Sequence, residues 1–288
     1  MKKILVAIDF SEHTFISCNY ALEIAKKNKA EICLFHTSFD NIVITNSSIP
    51  DAYTVNSFVY PELNSEIKQN TNTQMLDLQN EMISKLQNEN IKGITINTII
   101  TNNDFETDLI NFCDDYHPSI VIIGTKGKGE SLKVFGTIAS KLIDNLRFPV
   151  LAVPEIDTFL GVKNVMYATD LHPSDSVLIR KTYNLLENFD INMFCVHIVE
   201  KNDYLQAYSK MDDLKQIYSK EVDDKKFNCD VLEGNNIHAE IDKFITSNNI
   251  DLIIFLPHKT NFFQRLFGQH FSKKYLFETN LPLLAVRL

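Results

Sequence analysis

An internal duplication restricts the possible folds of this chain more than any other feature. Residues 164–170 match residues 3–9 at an offset of 161 (170 − 9 = 161), and His197 matches His36 at the same offset. Further along the chain the offset is 132 (268 − 136 = 132), with Gly234 on Asn102, Phe244 on Phe112 and Gly268 on Gly136. Shared offsets over several segments rarely arise by chance, so we predict two copies of one structural unit.

The change of offset locates an insertion in the first copy. The 29 extra residues (161 − 132 = 29) lie between His36 and Asn102. The polar segment 40–64 is the candidate, because it contains two prolines and is too long for a simple connection. The two copies then form a first domain over residues 1–155 and a second domain over residues 160–288.

Short apolar runs alternate with amphipathic stretches in each copy. The run Ile4–Ile8 is typical of a buried strand. The helical spacing of Cys18, Leu22 and Ala25 predicts a helix, with Ser11 as its N-cap. The resulting βαβαβαβαβ order implies right-handed crossovers. We therefore predict an α/β fold of two tandem domains, each a five-stranded parallel sheet with helices on both faces.

A glycine-rich loop in the first copy indicates a possible anion site. The strand Ile120–Ile123 is followed by Gly124, Gly127 and Gly129, and then by a helix. Glycine lets the backbone approach a ligand closely, and a helix N-terminus attracts phosphate, although a tight turn explains the glycines equally well. The loop is not a Walker A motif, because Glu130 stands where that motif needs lysine, and it lacks the glycine order of the dinucleotide fingerprint.

The loop and the first strand resemble the universal stress protein family. GTKG at residues 124–127, an eight-residue spacer and GT at 136–137 are similar to the family's G-x2-G-x9-G-[ST] ATP-binding motif, and DFS at 9–11 is similar to the end of its opening strand. The resemblance covers the whole chain as two copies. The spacer is one residue shorter than the family pattern, and Ala139 stands where nucleotide-binding members usually carry a small hydroxyl residue.

The resemblance implies a Rossmann-like fold of the adenine nucleotide alpha hydrolase kind. It also implies a stress-response protein that binds ATP or AMP in its first domain without appreciable turnover, with Mg²⁺ accompanying ATP. The residues expected near the nucleotide follow three strand ends and occupy the glycine loop. They are Ala7, Ile8, Asp9, Thr37, Ile123, Gly124, Lys126, Gly127, Gly136, Thr137 and Ile138.

The second copy keeps the strand that precedes the loop but loses the loop itself. At the offset of 132, Leu256 replaces Gly124 and Lys259 replaces Gly127. Pro257 between them has no N–H to donate to a phosphate. We therefore expect a single nucleotide site in the chain, in the first copy.

Each copy closes with an apolar run, Val150–Val153 in the first and Leu283–Val286 in the second. A closing strand at a sheet edge exposes N–H and C=O groups that invite pairing. The family resemblance implies that such strands pair antiparallel across a two-fold axis. We expect an intramolecular pseudo-dimer built on this pairing, and proline at Leu151 is predicted to weaken it. Whether the full chain also forms a homodimer stays open.

Composition excludes some partners and favours one compartment. The formal net charge is −9, and so acidic a chain is a poor nucleic-acid binder. No apolar run approaches the roughly 20 residues that span a bilayer, so no membrane partner is expected. The five cysteines are scattered without a C-x-x-C pair, which indicates reduced thiols and a cytoplasmic location. Protein clients are implied by the resemblance but not identified.

Two other functions stay open at this point: a stress protein that interacts with partners after both sites have lost nucleotide, and a slow ATPase. No catalytic residue is predicted. His36 and His197 end equivalent strands and are expected to bond to backbone rather than to a metal. His258 and His270 lack a third ligand at metal spacing, so no metal site is predicted.

Overall fold

The computed structural model describes residues 2–11, 13–38, 61–125, 137–154, 159, 161–169, 171–199, 204–233, 237–257 and 281–287. Three segments named above lie outside the described residues. They are most of the expected insertion (40–60), most of the glycine loop (126–136) and the segment 258–280 of the second copy.

Strands and helices alternate in both halves of the chain, as the apolar pattern predicts. The first half contains β1 (Lys3–Ala7), α1 (Thr14–Asn28), β2 (Glu31–Thr37), α2 (Pro61–Asn88), β3 (Ile96–Thr101), α3 (Phe105–Tyr116), β4 (Ile120–Gly124), α4 (Thr137–Asn145) and β5 (Val150–Val153). The second half contains β6 (Asn164–Ala168), α5 (Asp175–Leu185), β7 (Asn192–Val199), α6 (Tyr204–Ile217), α7 (Ser219–Asp223), β8 (Phe227–Glu233), α8 (Ile237–Asn248), β9 (Leu252–Phe255) and β10 (Leu283–Ala285).

The start of α2 corrects the expected extent of the insertion. Residues 61–64 were expected to be irregular, but α2 begins at Pro61 and includes them. Proline is well suited to a helix start, because its missing N–H would have no partner there. The prediction of irregular structure is therefore wrong for residues 61–64, and the rest of the segment lies outside the described residues.

The ten described strands belong to one sheet, in the order β3-β2-β1-β4-β5-β10-β9-β6-β7-β8. Within each half the neighbouring strands are parallel, and among the described strands the one antiparallel pair joins β5 to β10. In that pair Leu284 lies opposite Leu151, and Leu283 lies opposite Ala152. The predicted α/β fold is confirmed, and the closing strands make the antiparallel contact expected of them.

The hydrogen bonds of β5 show which of its backbone N–H groups point to β10 in the other half. The N–H of Val121 in β4 donates to the carbonyl of Pro149. Alternation along a parallel pair then turns the N–H of Leu151 toward β4, and the N–H groups of Val150 and Ala152 toward β10. The prediction that proline at Leu151 removes a donor from the contact between halves is therefore wrong. Ala152 carries such a donor.

The register of the sheet reproduces the duplication. Ile4 of β1 pairs with Ile120 of β4, and Val165 of β6 pairs with Leu252 of β9. These pairs are related by the two offsets found in the sequence, 165 − 4 = 161 and 252 − 120 = 132. The two halves therefore place matching residues at matching points of the sheet.

The outer strand β8 departs from the sequence alignment by one residue. Ile32 lies opposite Ile96 in the first half, whereas Met193, its counterpart, lies opposite Phe227. The offset along β8 is therefore 131 (227 − 96 = 131), and the alignment that the sequence predicted around Gly234 is one residue too late. Both outer strands mix polar and apolar residues and are only partly buried, so their apolar pattern fixes the register weakly.

Alternation along the strands gives the sheet two apolar faces. Ile4 and Val6 of β1, and Ile8 just after it, belong to one buried cluster, together with residues of α1, α2, α5 and α6. Leu5 belongs to a second cluster, together with residues of α3, α4 and α8. Helices therefore cover both faces, which is why the central strands are apolar at nearly every position. Among the described helices, none is long and apolar enough to cross a membrane.

Candidate functional site

The order of the strands creates a crevice in the first half between the ends of β1 and β4. The chain leaves β1 through α1 toward β2 on one side, and it leaves β4 through α4 toward β5 on the other. The two helices pack on opposite faces of the sheet. Adjacent strands whose connections diverge in this way leave an opening at their carboxyl ends, which is where open α/β sheets bind ligands.

The structure brings the described members of the predicted site to this one edge. Residues 7–9 end or follow β1, Thr37 ends β2, and residues 123–124 end β4. Thr137 and Ile138 begin α4. The other members, Lys126, Gly127 and Gly136, lie outside the described residues.

Asp9 is held in place by the turn that follows it. Its Oδ1 atom accepts hydrogen bonds from the Ser11 N–H at 3.0 Å, the Ser11 hydroxyl at 2.7 Å and the Thr14 hydroxyl at 2.9 Å. The N-cap residue of α1 is His13, which makes no side-chain capping bond, so the prediction of Ser11 as N-cap is wrong. The short side chain of Ser11 bonds to Asp9 instead, as Ser and Asp commonly do in turns.

A histidine fixes the same turn from the neighbouring strand. Nδ1 of His36 lies 2.7 Å from the carbonyl oxygen of Ile8, and its ring packs on Phe10 with the centroids 4.6 Å apart. A carbonyl only accepts, so Nδ1 carries the proton. Phe10 has a positive φ of 53°, which is uncommon for a bulky residue and needs such support.

The second half repeats this arrangement. Nδ1 of His197 lies 2.8 Å from the carbonyl oxygen of Thr169, and Leu171 has a φ of 59°. The prediction that both histidines bond to backbone is confirmed. Because the bond and the left-handed residue recur in both copies, they belong to the shared fold and not to a ligand site of one half.

Several side chains predicted to line the site are buried in the core. Ile8 is 2% exposed and Ile123 is 7% exposed. The hydroxyl of Thr37 bonds to the hydroxyl of Thr101 at 2.9 Å, within the sheet. Ala139, where the resemblance implied a hydroxyl residue, is also buried among apolar neighbours. At this edge the half-buried Ala7, Asp9 and Gly124 are the better placed to meet a ligand.

At the equivalent edge of the second half, the described residues include buried side chains that the first half does not have. Leu256, the counterpart of Gly124, is 4% exposed and packs in the core. Asp175, the counterpart of Thr14 (175 − 161 = 14), is 2% exposed. Its two carboxyl oxygens accept hydrogen bonds from the hydroxyls of Tyr167, at 3.0 Å, and Thr169. Sequence reasoning missed this buried carboxyl group, because an aspartate at a helix start is usually exposed.

The described residues contain no group of three or more His, Cys, Asp or Glu side chains placed to hold a metal ion. The polar groups described at the first-half edge include backbone groups, the fixed Asp9 carboxylate and the start of α4.

Comparison with known proteins agrees with this architecture. The model of the Universal stress protein family matches residues 1–154, more than half of the chain. The chain belongs to the universal stress protein family. Universal stress protein YxiE of Bacillus subtilis (strain 168) is 26% identical over 152 residues, which are 52% of this chain and 97% of that protein.

Solved structures extend the similarity of this universal stress protein to both halves. The crystal structure of a universal stress protein from Archaeoglobus fulgidus DSM 4304 matches with a TM-score of 0.70 and 13% identity, over 99% of this chain and 96% of that one. A protein described as functionally unknown from Pseudomonas aeruginosa PAO1 matches with a TM-score of 0.58 and 11% identity, over 99% and 92%. At these identities the likeness concerns the fold alone.

We expect His36→Phe to lower the free energy of unfolding by about 1–2 kcal/mol, because the Ile8 carbonyl loses its donor. His36→Asn should lose less, since the Asn Nδ2 atom can take the place of Nδ1. Urea denaturation at neutral pH measures both. The exposed His172 is the control, and its replacement by Phe should change stability by less than about 0.5 kcal/mol. If His36→Phe and His36→Asn lowered the free energy of unfolding equally, the bond from His36 to the Ile8 carbonyl would have no role in stability.

Proposed function

We propose that this universal stress protein binds one adenine nucleotide, ATP or AMP, in the crevice between β1 and β4 of its first half. The observation that carries the proposal is the difference between the two halves at this point. Gly124 ends β4 in the first half, whereas the buried Leu256 stands at the matching position of the second. A glycine leaves the backbone open to a ligand, and a leucine side chain does not.

In this proposal the base and the sugar lie at the end of β1 and the phosphates lie over the glycine loop. Ala7 and Asp9 contact the nucleoside, with Ile8, Thr37 and Ile123 supporting them from the core. The phosphates meet Gly124 and the start of α4, whose N-terminal N–H groups and dipole favour an anion. The loop residues that complete this grip are Lys126, Gly127, Gly136, Thr137 and Ile138.

We further propose that turnover is negligible. Hydrolysis of a phosphoanhydride requires a positioned water and a base, usually with a metal across the phosphates. Asp9 lies at the nucleoside end of the proposed site, and its Oδ1 atom already accepts three hydrogen bonds. We therefore assign it to positioning, and we assign the Mg²⁺ that accompanies ATP to the phosphates. Phosphate release from ATP should be far slower than the roughly 1 per second of slow kinases.

The proposed setting is a cytoplasmic stress response, in which residues 1–155 and 160–288 act as the two units of an intramolecular pseudo-dimer. The antiparallel pairing of β5 with β10 supports the pseudo-dimer. All five cysteines are free thiols, which supports a reducing compartment.

A second candidate is a stress protein that acts by binding other proteins and needs no nucleotide. Exposed apolar side chains on α6 favour it: Leu205 is 77% exposed, and Tyr208 and Ile217 are also exposed. Large apolar groups on the surface are common at protein–protein contacts. The eight-residue spacer of the glycine motif favours the same candidate.

Isothermal titration of the full chain with ATP and with AMP tests the two candidates. We expect one site per chain. Gly124→Leu, which copies the second half, should weaken binding more than about tenfold, or 1.4 kcal/mol. Gly127→Trp in the loop should abolish binding. The reverse change, Leu256→Gly, should create no second site, because Pro257 and the rest of that edge are unchanged.

Two results would overturn the nucleotide proposal. Two equal sites per chain would show that Leu256 does not exclude ligand. No binding at millimolar ATP or AMP, in a protein whose unfolding transition is intact, would leave the protein-binding candidate in its place.

A further inference from the structure

Two cysteines lie side by side on the last two strands of the second half. The register places Cys195 of β7 directly opposite Cys229 of β8. Opposed residues of a parallel pair point to the same side of the sheet, and both thiols lie on the face covered by α6. Cys195 is fully buried, whereas Cys229 is partly exposed. The pair therefore combines one accessible thiol with one enclosed partner.

The spacing of the two strands allows the thiols to be joined. Neighbouring strands lie about 4.8 Å apart. A disulfide needs Cα atoms about 4.4–6.8 Å apart and Cβ atoms about 3.8 Å apart. The Cα separation therefore already fits, and a small approach of the side chains completes the geometry.

β8 is able to make that approach because it is the outer strand of the described sheet. The N–H of Met193 donates to the carbonyl of Lys226. Alternation along the parallel pair then turns the N–H of Cys229 away from β7, so this residue is the less restrained of the two. A bond formed by drawing an outer strand inward is under some strain, and strained disulfides are reduced easily.

We propose that Cys195 and Cys229 form a reversible disulfide site that is oxidised by hydroperoxides. The partly exposed Cys229 gives up its thiol proton and its sulfur attacks the peroxide oxygen. The O–O bond breaks, the released oxygen takes up that proton, and the products are a sulfenic acid and water or an alcohol. The Cys195 sulfur then attacks the Cys229 sulfur, the S–S bond forms, and the hydroxyl leaves with the Cys195 proton as water. Two thiols and one hydroperoxide are thus converted to a disulfide and two small molecules, and a thiol reductant reverses the change.

The direction of attack follows from the surroundings of the two thiols. Burial, and after it a hydrogen bond to Cys229, raises the pKa of the Cys195 thiol well above its usual value. A thiol kept protonated is a poor nucleophile toward peroxide. Cys195 therefore acts second, once its neighbour carries a sulfur that can be attacked.

The pair belongs to the second half alone. At the matching positions of β2 and β3 the first half has Leu34 opposite Thr98. The cysteines of the first half are no substitute, because burial raises the pKa of Cys18, Cys33 and Cys113 to about 12. These three thiols serve as internal references for oxidation of the pair.

The test treats the reduced full-length protein with hydrogen peroxide, blocks the remaining thiols, and maps peptides by mass spectrometry without reduction. We expect one cross-linked peptide pair that joins Cys195 to Cys229 and returns to free thiols on treatment with dithiothreitol. Cys195→Leu and Cys229→Thr copy the residues of the first half and should fold. Both should lose the cross-link, and Cys195→Leu should accumulate sulfenic acid at position 229.

Other outcomes would overturn the proposal. One such outcome is oxidation of Cys229 in the wild-type protein while Cys195 remains an intact thiol. It would show that the two sulfurs do not come into contact. A cross-link between Cys229 residues of two chains would have the same meaning. Oxidation of Cys18, Cys33 or Cys113 at the same rate as the pair, in a protein whose circular dichroism is unchanged by the treatment, would show that the pair has no special reactivity toward peroxide.

Discussion

Replacing Ala152 by proline is expected to lower the free energy of unfolding of the full chain by about 3–5 kcal/mol. Ala152 is fully buried in β5 and lies opposite Leu283 of β10. Its N–H points across the contact between the halves, so proline removes a donor there and leaves a buried carbonyl without its partner. Proline in the middle of a sheet also interferes with the neighbouring strand. Chemical denaturation followed by circular dichroism measures the change.

Two further proline variants show whether the position or the residue type is responsible. Thr98→Pro lies in the outer strand β3, where the N–H of Ile32 donates to the carbonyl of Thr95. Alternation then turns the N–H of Thr98 away from β2, and the loss should be below about 1 kcal/mol. Leu151→Pro should be as damaging as Ala152→Pro, but through the bond to β4. If Thr98→Pro and Ala152→Pro proved equally destabilising, the contact between the halves would have no special role.

Asp175→Ala is expected to cost about 2–5 kcal/mol of stability. The carboxyl group of Asp175 accepts hydrogen bonds from the hydroxyls of Tyr167 and Thr169 inside the second half. Alanine removes this acceptor from two buried hydroxyl groups and also leaves unfilled volume. Since all three residues lie at the carboxyl end of β6, we expect thermal unfolding to report the loss as a lower midpoint for the whole cooperative transition.

The duplication supplies a matched comparison for Asp175. Thr14 occupies the same place in the first half and donates to Asp9 at 2.9 Å. Thr14→Ala removes one of three donors from the half-buried Asp9 carboxylate, which keeps the two from Ser11, so the loss should be about 1 kcal/mol. Asp175→Asn keeps an acceptor oxygen and should lie between the two. An Asp175→Ala variant as stable as Thr14→Ala would contradict the importance of the buried carboxyl group.

The overall fold could be predicted from the sequence because it depends on patterns of residue type, and such patterns can still be recognised when the bounds of an element are wrong by a residue or two. Apolar runs such as Ile4–Ile8, their alternation with helical spacing, and the repeated offsets each identify an element without specifying its contacts. The pairing of the closing strands, 150–153 with 283–285, was predictable for the same reason. An apolar run that ends a domain needs a partner, and the tethered second copy offers an equivalent one.

The candidate site was predicted only in part. The sequence identified Asp9 and Gly124, which the structure brings to one edge of the sheet. It did not show that Phe10 adopts a positive φ, because that conformation is imposed on a bulky residue by the packing of His36 and by the bond to Ile8. Nor did it show that Ser11 bonds to Asp9 while His13 starts the helix.

The sequence alone was enough to establish the duplication, the α/β class and the loss of the glycine loop from the second copy, because residue type and spacing carry that information. Tertiary structure decided which atoms meet. It turned the N–H of Ala152 rather than that of Leu151 toward β10, set β8 one residue from its expected alignment, and so placed Cys229 beside Cys195. The reason is physical: successive residues of a strand face opposite sides, so a shift of one position exchanges every partner that a side chain or an N–H group has.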